Sequence, residues 1–578
     1  MCFFGEGFMF YRVHLGLFFL IVFSVAAFSL SYVLPNHYFP WVVAYQEFLS
    51  FLGAILLVLI YLLCVRGVFV AHSVLFFFFL ALVPLFQLAM GVIYFSGDAW
   101  VAAVYIASFS LMLQVGYGFG REPMLRMPMI NLVAAVFLCS GVLSVWIALR
   151  QWLLLSGSIW VVDLPSGTRP FANMAQPNNF STLLCLAVVA TIYFYEKYII
   201  GRFSASVLAV FLVFGIALAQ SRTPWVGCIA IFVFWAWKVR VYSARLSLRS
   251  LFAWLVLYWA CVAMLPLLAE SLYLFSLDPL ERARSLERWA LWYQLWQAVL
   301  GGPVWGYGWN QVSIAQVAIS LDYPVPIMVE HSHNFLLDLL LWNGPLLGGV
   351  VILCLSFWLM RLGWRARSAE SLFCLLASGL ILVHGLLEFP LEYAFFLLPL
   401  GLMLGAVEGE QFPQSKLALP KILLGGVVLF SIGLFGWVWN EYRTVEEDHR
   451  LMRFETSGIG SLKANQPAPN VVVLTQLQEL LRFIRTYARA GMSAEELAWM
   501  RKVAHRYPYP SSVFRYSLAL GLNGQLEAAC EQLRVLRALH GDKHYDEGMR
   551  ALQQVSVEYP QLEPLLQVMA TENSLQCN

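Results

Sequence analysis

From His14 to Trp439 the sequence returns repeatedly to apolar runs of about 17 to 25 residues, the length a helix needs to cross roughly 30 Å of hydrocarbon. No other feature constrains the fold so tightly. The 578 residues are 60% hydrophobic, 15% aromatic and 12% charged, a composition foreign to an ordinary water-soluble globule. The expected fold class is therefore all-α: a polytopic integral membrane protein of about 13 transmembrane helices, with a large extracytoplasmic loop over 270–334. Expected spans are 15–34, 48–66, 68–92, 98–116, 128–149, 179–196, 203–219, 224–238, 250–269, 344–361, 370–388, 394–409 and 421–439. The first has only Arg12 nearby and ends in "LPNHYFPW" with no small-residue cleavage site, so it reads as a retained span and not a signal peptide.

Two domains are expected: a membrane domain over 1–439 and a soluble helical one over 440–578. The segment "YPYPSSVFRYSLALGLNGQLEAACEQLRVLRALHG" reads as two amphipathic helices joined by "LNGQ", similar to a tetratricopeptide pair. As a cap it would pack on the loops; as a recognition element it would contact an acceptor or partner.

Cysteine and charge exclude several function classes. Cys64, Cys139, Cys185, Cys228, Cys261, Cys354 and Cys374 lie in apolar segments, where a thiol behaves as a small hydrophobe, and their spacing suggests no metal cluster. Cys530 and Cys577 could pair if the tail is extracytoplasmic. A net charge of +2, with no basic run interleaved with aromatics, offers no electrostatic case for nucleic acid.

With the N-terminus cytoplasmic, most arginines and lysines before Asn440 fall in inside loops, among them Arg66, Arg121, Arg126, Lys197, Lys238, Arg245, Arg361 and Lys421. Arg150, Arg169, Arg222, Arg282, Arg284 and Arg288 do not, and the positive-inside rule leaves them unexplained. An odd span count puts the tail outside. The unusual polar chemistry collects on that same side, so the active face is expected to be periplasmic, in the inner membrane of a Gram-negative cell. Nucleotide sugars and ATP are not expected there; a transferase must draw on an activated donor carried by lipid.

Four polar stretches carry candidate chemistry. In "QSRTP" a single Arg222 sits close to the membrane surface, where an arginine is costly unless paired or solvated. Its guanidinium suits the oxygens of a lipid-linked pyrophosphate; a snorkelling anchor is the plainer alternative. In "ERARSLERWALWYQLWQAVLGGPVWGYGWNQ", Arg284 and Arg288 are four apart and share a helical face, with Arg282 off it. A Trp-rich helix lying on the bilayer would look the same. The glycines that follow lack the Gly-Lys-Ser/Thr ending of a P-loop. In "RPFANMAQPNNF", Gln176, Asn178 and Asn179 stand where a loop meets a span and Pro177 suits a first helical turn. Amides there could face a sugar or phosphate, or simply start the helix.

The fourth stretch, "VEHSHNFLLDLLLWNGPLLGG", sets Glu330, His331, His333 and Asn334 against an apolar run. If a helix begins after Ser332, Asn334 and Asp338 share a face, whereas His331 and His333, two apart, cannot. At most one histidine then points at a given reacting atom. Near its unperturbed pKa of about 6.5 a histidine is a suitable general base for a hydroxyl acceptor. Zinc is the rival reading, with His384 and Glu388 as distant further ligands.

Together these stretches, with "HGLLEFPLEYAFFLLPLGL" and "MRKVAHRYPYPSSVFRYSLALGLNGQ", resemble the bacterial O-antigen ligase and polymerase superfamily, and more closely its PglL-type protein O-oligosaccharyltransferases. The resemblance runs over nearly the whole chain and rests on the order of the motifs. It implies en bloc transfer of a preassembled glycan from undecaprenyl pyrophosphate to a Ser or Thr hydroxyl of a pilin or other periplasmic protein, without metal or other cofactor. It also implies roles: His333 of the "HN" pair as base or acceptor-orienting group, Arg222 of "SRT" and Arg288 before "W" as the donor-pyrophosphate arginines. Gln176 and Tyr393 match polar positions of the protein-transferase branch, with His384 and Glu388 nearby; Glu330, His331, Asn334, Arg169 and Arg284 are expected to support.

The alternatives are ligation of O-antigen to lipid A core, polymerisation of O-units and, from another class, transport of a lipid-linked sugar. The tail, "AQPNN" and "EFPLEY" favour a protein acceptor. Transport predicts charged or broken helices at mid-bilayer and inverted repeats, and no internal repeat is visible.

Overall fold

A computed structural model describes residues 4–165, 167–239, 242, 244–275, 287–458 and 467–576, without the side chains of 4–14 and 572–576. The described residues are overwhelmingly helical. Their one sheet is a two-stranded antiparallel ladder pairing Val68 with Leu419 and Phe69 with Ala418.

Each expected span falls on a helix: Phe4–Val33, Ala44–Cys64, His72–Leu80 with Val83–Ala89, Ser96–Arg121, Pro123–Trp152, Pro177–Glu196, Arg202–Leu218, Thr223–Lys238, Leu248–Ser271, Phe335–Arg365, Ala369–Gly385, Ala394–Gln411 and Lys421–Thr456. Among the described residues, nine helices are long and apolar enough to cross a membrane. The difference from about thirteen has a physical source. Arg202–Leu218, Thr223–Lys238 and Ala369–Gly385 are apolar but short, about 24 to 26 Å at 1.5 Å per residue. Ala394–Gln411 ends in "EGEQ", which dilutes its apolar character.

The chain divides into two compact units. The first comprises Met1–Ala81, Val104–Ser285 and Ser356–Asn440; the second comprises Leu82–Ala103, Leu286–Leu355 and Glu441–Asn578.

Within the first unit, small residues set how closely helices approach. A Cβ on Gly116 would stand 2.0 Å from the Leu402 carbonyl oxygen, and one on Gly120 2.2 Å from that of Ala406. From the facing helix, Gly405 and Gly409 meet the carbonyls of Leu113 and Tyr117 equally closely, at 2.2 Å each. Four-residue glycine spacing on both helices thus brings backbone against backbone, the close packing that holds helices together where lipid supplies no hydrophobic drive. Phe18, Phe23, Phe79, Leu429 and Phe430 stay exposed, as side chains facing acyl chains would.

The second unit is organised around an apolar core of Phe483, Met500, Val513, Leu520, Leu533, Leu536 and Leu539 that also takes in Phe95 and Val317. Glu441–Asn578 is therefore not a packing unit by itself, and the boundary expected at 439/440 marks the end of the last apolar run. That run continues without a break into the tail, because Lys421–Thr456 is one helix of 36 residues. The two expected helices are Pro510–Leu522 and the part of Leu526–Glu558 before its break at Gly541, φ 75°, turned by Asn523–Gln525 with Gly524 at φ 76°. Ahead of it, Ala494–Arg506 opens on a capping box between Ser493 and Glu496. Cys530 is buried in this core, and Cys577 lies outside the described residues.

Candidate active site

In the second unit, the stretch from Glu330 to Asn334 forms a turn whose every neighbour is pinned. Asn334 caps the Phe335–Arg365 helix, its Oδ1 accepting from the amides of Leu336 at 3.0 Å and Leu337 at 3.3 Å. Buried Asp338, one turn into that helix, accepts from the Ser332 amide at 2.8 Å. The Ser332 hydroxyl donates to the Asn334 carbonyl at 2.8 Å, and the Ser332 carbonyl accepts from Trp292 Nε1 at 2.9 Å. Between these fixed residues His333 takes φ 58°. That left-handed conformation is uncommon for a residue with a Cβ and costs about 1 to 3 kcal/mol, so the surrounding bonds must hold it.

His331 and His333 are both half-buried. His331 has its Nδ1 shielded from solvent, and burial pushes its pKa down to about 3, with the charges of Arg506 and His333 acting in the same direction. His331 is neutral at physiological pH and a weak base. Arg288 lies in the first turn of the Glu287–Gly301 helix, one turn before Trp292 and on the same face. Arg282 and Arg284 lie outside the described residues.

Glu330 receives a hydrogen bond from Tyr509 Oη at 2.9 Å and stands 4.0 Å from Arg506 Nη1. Arg506 in turn grips Asp98 with Nε and Nη2, at 3.1 and 3.0 Å. Burial works against the Arg506 charge, but Asp98 more than offsets it and the guanidinium is held protonated beyond its usual range. Asp98, Trp292, Arg506 and Tyr509 are contacts that sequence reasoning missed. Asp98 alone left a trace: an acid at the start of an apolar helix, with no basic neighbour in the chain, demands a distant partner.

The stretch "GGPVWGYGWN" packs against the break in the helix that follows this turn. The Phe335–Arg365 helix is interrupted at Gly344, φ 73°, where a Cβ would fall 1.8 Å from the Val304 carbonyl oxygen. Across that break the amides of Tyr307 and Gly308 donate to Leu341 and Trp342, at 2.7 and 3.1 Å. Trp309 stacks on Trp342 with centroids 4.5 Å apart and donates to Asn343 Oδ1 at 2.9 Å.

A second group of predicted residues is gathered within the first unit. Gln176 stands at the N-cap of Pro177–Glu196 with extended backbone, and Pro177 opens the helix as the sequence suggests. Asn178 Nδ2 donates to Glu388 at 2.8 Å, while Asn178 Oδ1 accepts from the Ser221 hydroxyl at 2.6 Å. Buried His384 shares a hydrogen bond with Thr182 at 2.9 Å. Arg169 Nη1 donates to the carbonyls of Gln220, at 2.8 Å, and Ala219, at 3.4 Å, capping the end of Arg202–Leu218. Arg169 therefore holds the turn that carries Arg222, which is half-buried ahead of Thr223–Lys238, and Gln220 within that turn is left-handed at φ 46°. Tyr393 stacks on Phe395 with ring centroids 5.1 Å apart, and burial raises the phenol pKa. Glu47, missed by sequence reasoning, accepts from the next amide, Ala394, at 2.8 Å and from Tyr105 Oη at 2.7 Å.

Known proteins place the chain. A family model described as "O-Antigen ligase" matches residues 207–353, and one described as "Virulence factor membrane-bound polymerase, C-terminal" matches 372–554. A "General O-oligosaccharyltransferase" of Acinetobacter baylyi is 29% identical over 538 residues, 90% of this chain and 93% of the relative. These matches liken the chain to the O-antigen ligase superfamily along most of its length. A second relative from the same organism, a "ComP-specific O-oligosaccharyltransferase", is 24% identical over 551 residues, 90% of this chain and 95% of the relative. No solved structure matches. The chain is a multi-pass membrane protein, and both relatives are named as oligosaccharyltransferases. Both motif clusters fall partly inside the matched regions: Arg222, Arg288 and the turn at Glu330–Asn334 in the first, His384, Glu388 and Tyr393 in the second.

Proposed function

We propose that this protein is an O-antigen ligase superfamily member that performs O-linked protein glycosylation, transferring a preassembled oligosaccharide from undecaprenyl pyrophosphate to a Ser or Thr hydroxyl of a pilin or other periplasmic protein. It acts in the bacterial inner membrane with about thirteen spans, a cytoplasmic N-terminus, and its active face and tail in the periplasm; the excess of inside-loop arginine and lysine supports that orientation. The tail would then be a tetratricopeptide-like element in the compartment of the acceptor. Two O-oligosaccharyltransferases similar along nine-tenths of the chain support the activity class.

One observation carries the chemistry: His333 is held left-handed between residues pinned by hydrogen bonds, while burial of its ring nitrogen depresses the pKa of His331 to about 3. A base for a hydroxyl works best with a pKa near ambient pH, which argues against His331 and leaves the histidine of the "HN" pair, His333, as the proposed base. The acceptor oxygen attacks the anomeric carbon and its proton passes to His333. The bond from that carbon to the pyrophosphate oxygen breaks, releasing undecaprenyl pyrophosphate. One direct displacement inverts the anomeric centre. Pyrophosphate is a good leaving group, so arginine charge meets the demand at the departing oxygens without a metal. Arg288 takes that role in the unit that holds His333, and the resemblance of "SRT" gives Arg222 the same role. Gln176, Tyr393, His384 and Glu388 support.

His333→Ala is expected to abolish glycan transfer while the protein accumulates normally in the membrane. Wild-type transfer by that variant would remove His333 from the mechanism. Mass spectrometry of periplasmic glycoproteins with and without the gene tests the acceptor class. The match to the O-antigen ligase model favours a second reading, in which lipid A core is the acceptor. Unmodified proteins together with altered lipopolysaccharide would select it.

A further inference from the structure

Glu330 opens the turn that carries His333, and its side chain is 39% exposed, yet it is not left to solvent. Tyr509 and Arg506 meet its two carboxylate oxygens, at 2.9 and 4.0 Å. Both come from "RYPYP", the link between Ala494–Arg506 and Pro510–Leu522. The link is stiff. Arg506 is 8% exposed, has its plane set by the bidentate bond to Asp98, and lies 4.7 Å over the Tyr507 ring. Its carbonyl accepts from Ser313 at 2.8 Å, and the Pro508 carbonyl is bonded to His540 at 2.7 Å. Tyr507 and Tyr509 stack at 6.1 Å. Burial and the Glu330 charge raise the Tyr509 pKa, so the phenol remains a donor.

We infer that Tyr509 and Arg506 are positioning residues for glycan transfer, bracing Glu330 and through it the backbone that holds His333 in its left-handed conformation. The tail then contributes to the chemical step and not only to stability. The inference rests on the assignment of His333 above. A left-handed histidine must be over-determined by its surroundings. Bonds at Ser332, Asn334 and Asp338 hold the turn, and Gln316 accepts from the Val329 amide at 3.0 Å. The Tyr509 bond adds a brace from the tail at Glu330, between those anchors. Positioning errors of about 1 Å slow transfer as much as about a hundredfold, so the loss of one brace has a kinetic signature.

The test uses the full-length enzyme in detergent, with a lipid-pyrophosphate-linked oligosaccharide and a pilin-type acceptor. Tyr509→Phe and Glu330→Ala are expected to lower kcat about tenfold, with KM for both substrates within about twofold and the melting temperature nearly unchanged. The double variant should be no worse than either single one, the sign of one shared interaction. Glu330→Gln, which keeps an oxygen for Tyr509, should recover most of the kcat lost in Glu330→Ala. Wild-type kcat in Tyr509→Phe, additive losses in the double variant, or no recovery in Glu330→Gln would each overturn the inference. His333→Ala, run alongside, separates the two levels. Full activity in that variant defeats the site assignment; an inactive His333→Ala beside a normal Tyr509→Phe defeats only the brace.

Discussion

Trp292 Nε1 donates to the Ser332 carbonyl at 2.9 Å, and Arg288 occupies the same face of that helix one turn earlier. A single bond therefore registers the helix carrying Arg288 against the turn carrying His333. Trp292→Phe keeps an aromatic ring and removes the donor. Stability should fall by about 1 kcal/mol, whereas kcat should fall by about tenfold or more because two functional groups lose register. Single-turnover transfer alongside thermal melting checks the split; equal, small losses in both would show that the bond is only structural.

His333 combines a strained backbone with the proposed base, and substitution can separate the two. His333→Gly relieves the left-handed strain that His333→Ala retains, so the glycine variant should melt higher than the alanine variant by about 1 kcal/mol in stability. Neither should transfer glycan. An active His333→Gly would show that the conformation matters and the imidazole does not.

Gly344 should tolerate no side chain. Its φ of 73° and the 1.8 Å between its virtual Cβ and the Val304 carbonyl put strain and clash at one position. Gly344→Ala is expected to destabilise by more than about 1 kcal/mol and to lower the yield of folded protein, judged by monodisperse elution and melting. Gly349→Ala, in the same helix with nothing within 4 Å, is the control and should be neutral or slightly stabilising.

The Asn178 amide joins two acceptor-bearing groups, donating to Glu388 at 2.8 Å and accepting from Ser221 at 2.6 Å. Asn178→Asp replaces the donor with an oxygen facing another carboxyl oxygen, so it should destabilise by about 1 to 3 kcal/mol. Adding Glu388→Gln restores a donor and should recover much of that loss. Melting of the two single variants and the double variant decides, and simple additivity would dissolve the pairing.

Acid should weaken the second unit through two histidines. Burial lowers the His331 pKa to about 3, with Arg506 and His333 adding to it; burial also lowers that of His505 to about 4, with Arg501 adding and the bond to Gln532 opposing. Unfolded, each takes up a proton near pH 6.5; folded, each stays neutral until far lower pH. The unfolded chain binds more protons across that interval, so stability is complete above about pH 6.5 and declines as pH falls toward 4. His505→Gln should flatten the decline in melting temperature between about pH 7 and 4.5, and an unchanged slope would remove His505 from the effect.

The sequence by itself determined the helical membrane class, the places of the apolar helices and the motifs that liken the chain to the O-antigen ligase superfamily. Those properties are local: apolar length, a proline after Gln176, the order of "SRT", "HN" and "EFPLEY" along the chain. Helical spacing suggested separating His331 from His333, yet both lie in the turn ahead of Phe335–Arg365, where tertiary contacts set their surroundings. The tertiary structure decided which polar groups meet. Asp98 and Arg506 are 408 residues apart and Glu330 and Tyr509 are 179 apart, and no periodicity relates them. Arg169, expected as a supporting residue, is bonded to the carbonyls of Ala219 and Gln220 at a helix end, a pairing no local pattern shows. The tail boundary followed the same logic: hydropathy marks where apolar runs stop, but a core forms wherever side chains pack. Phe95 and Val317 pack with Leu533 and Leu536, however far apart they stand in the chain.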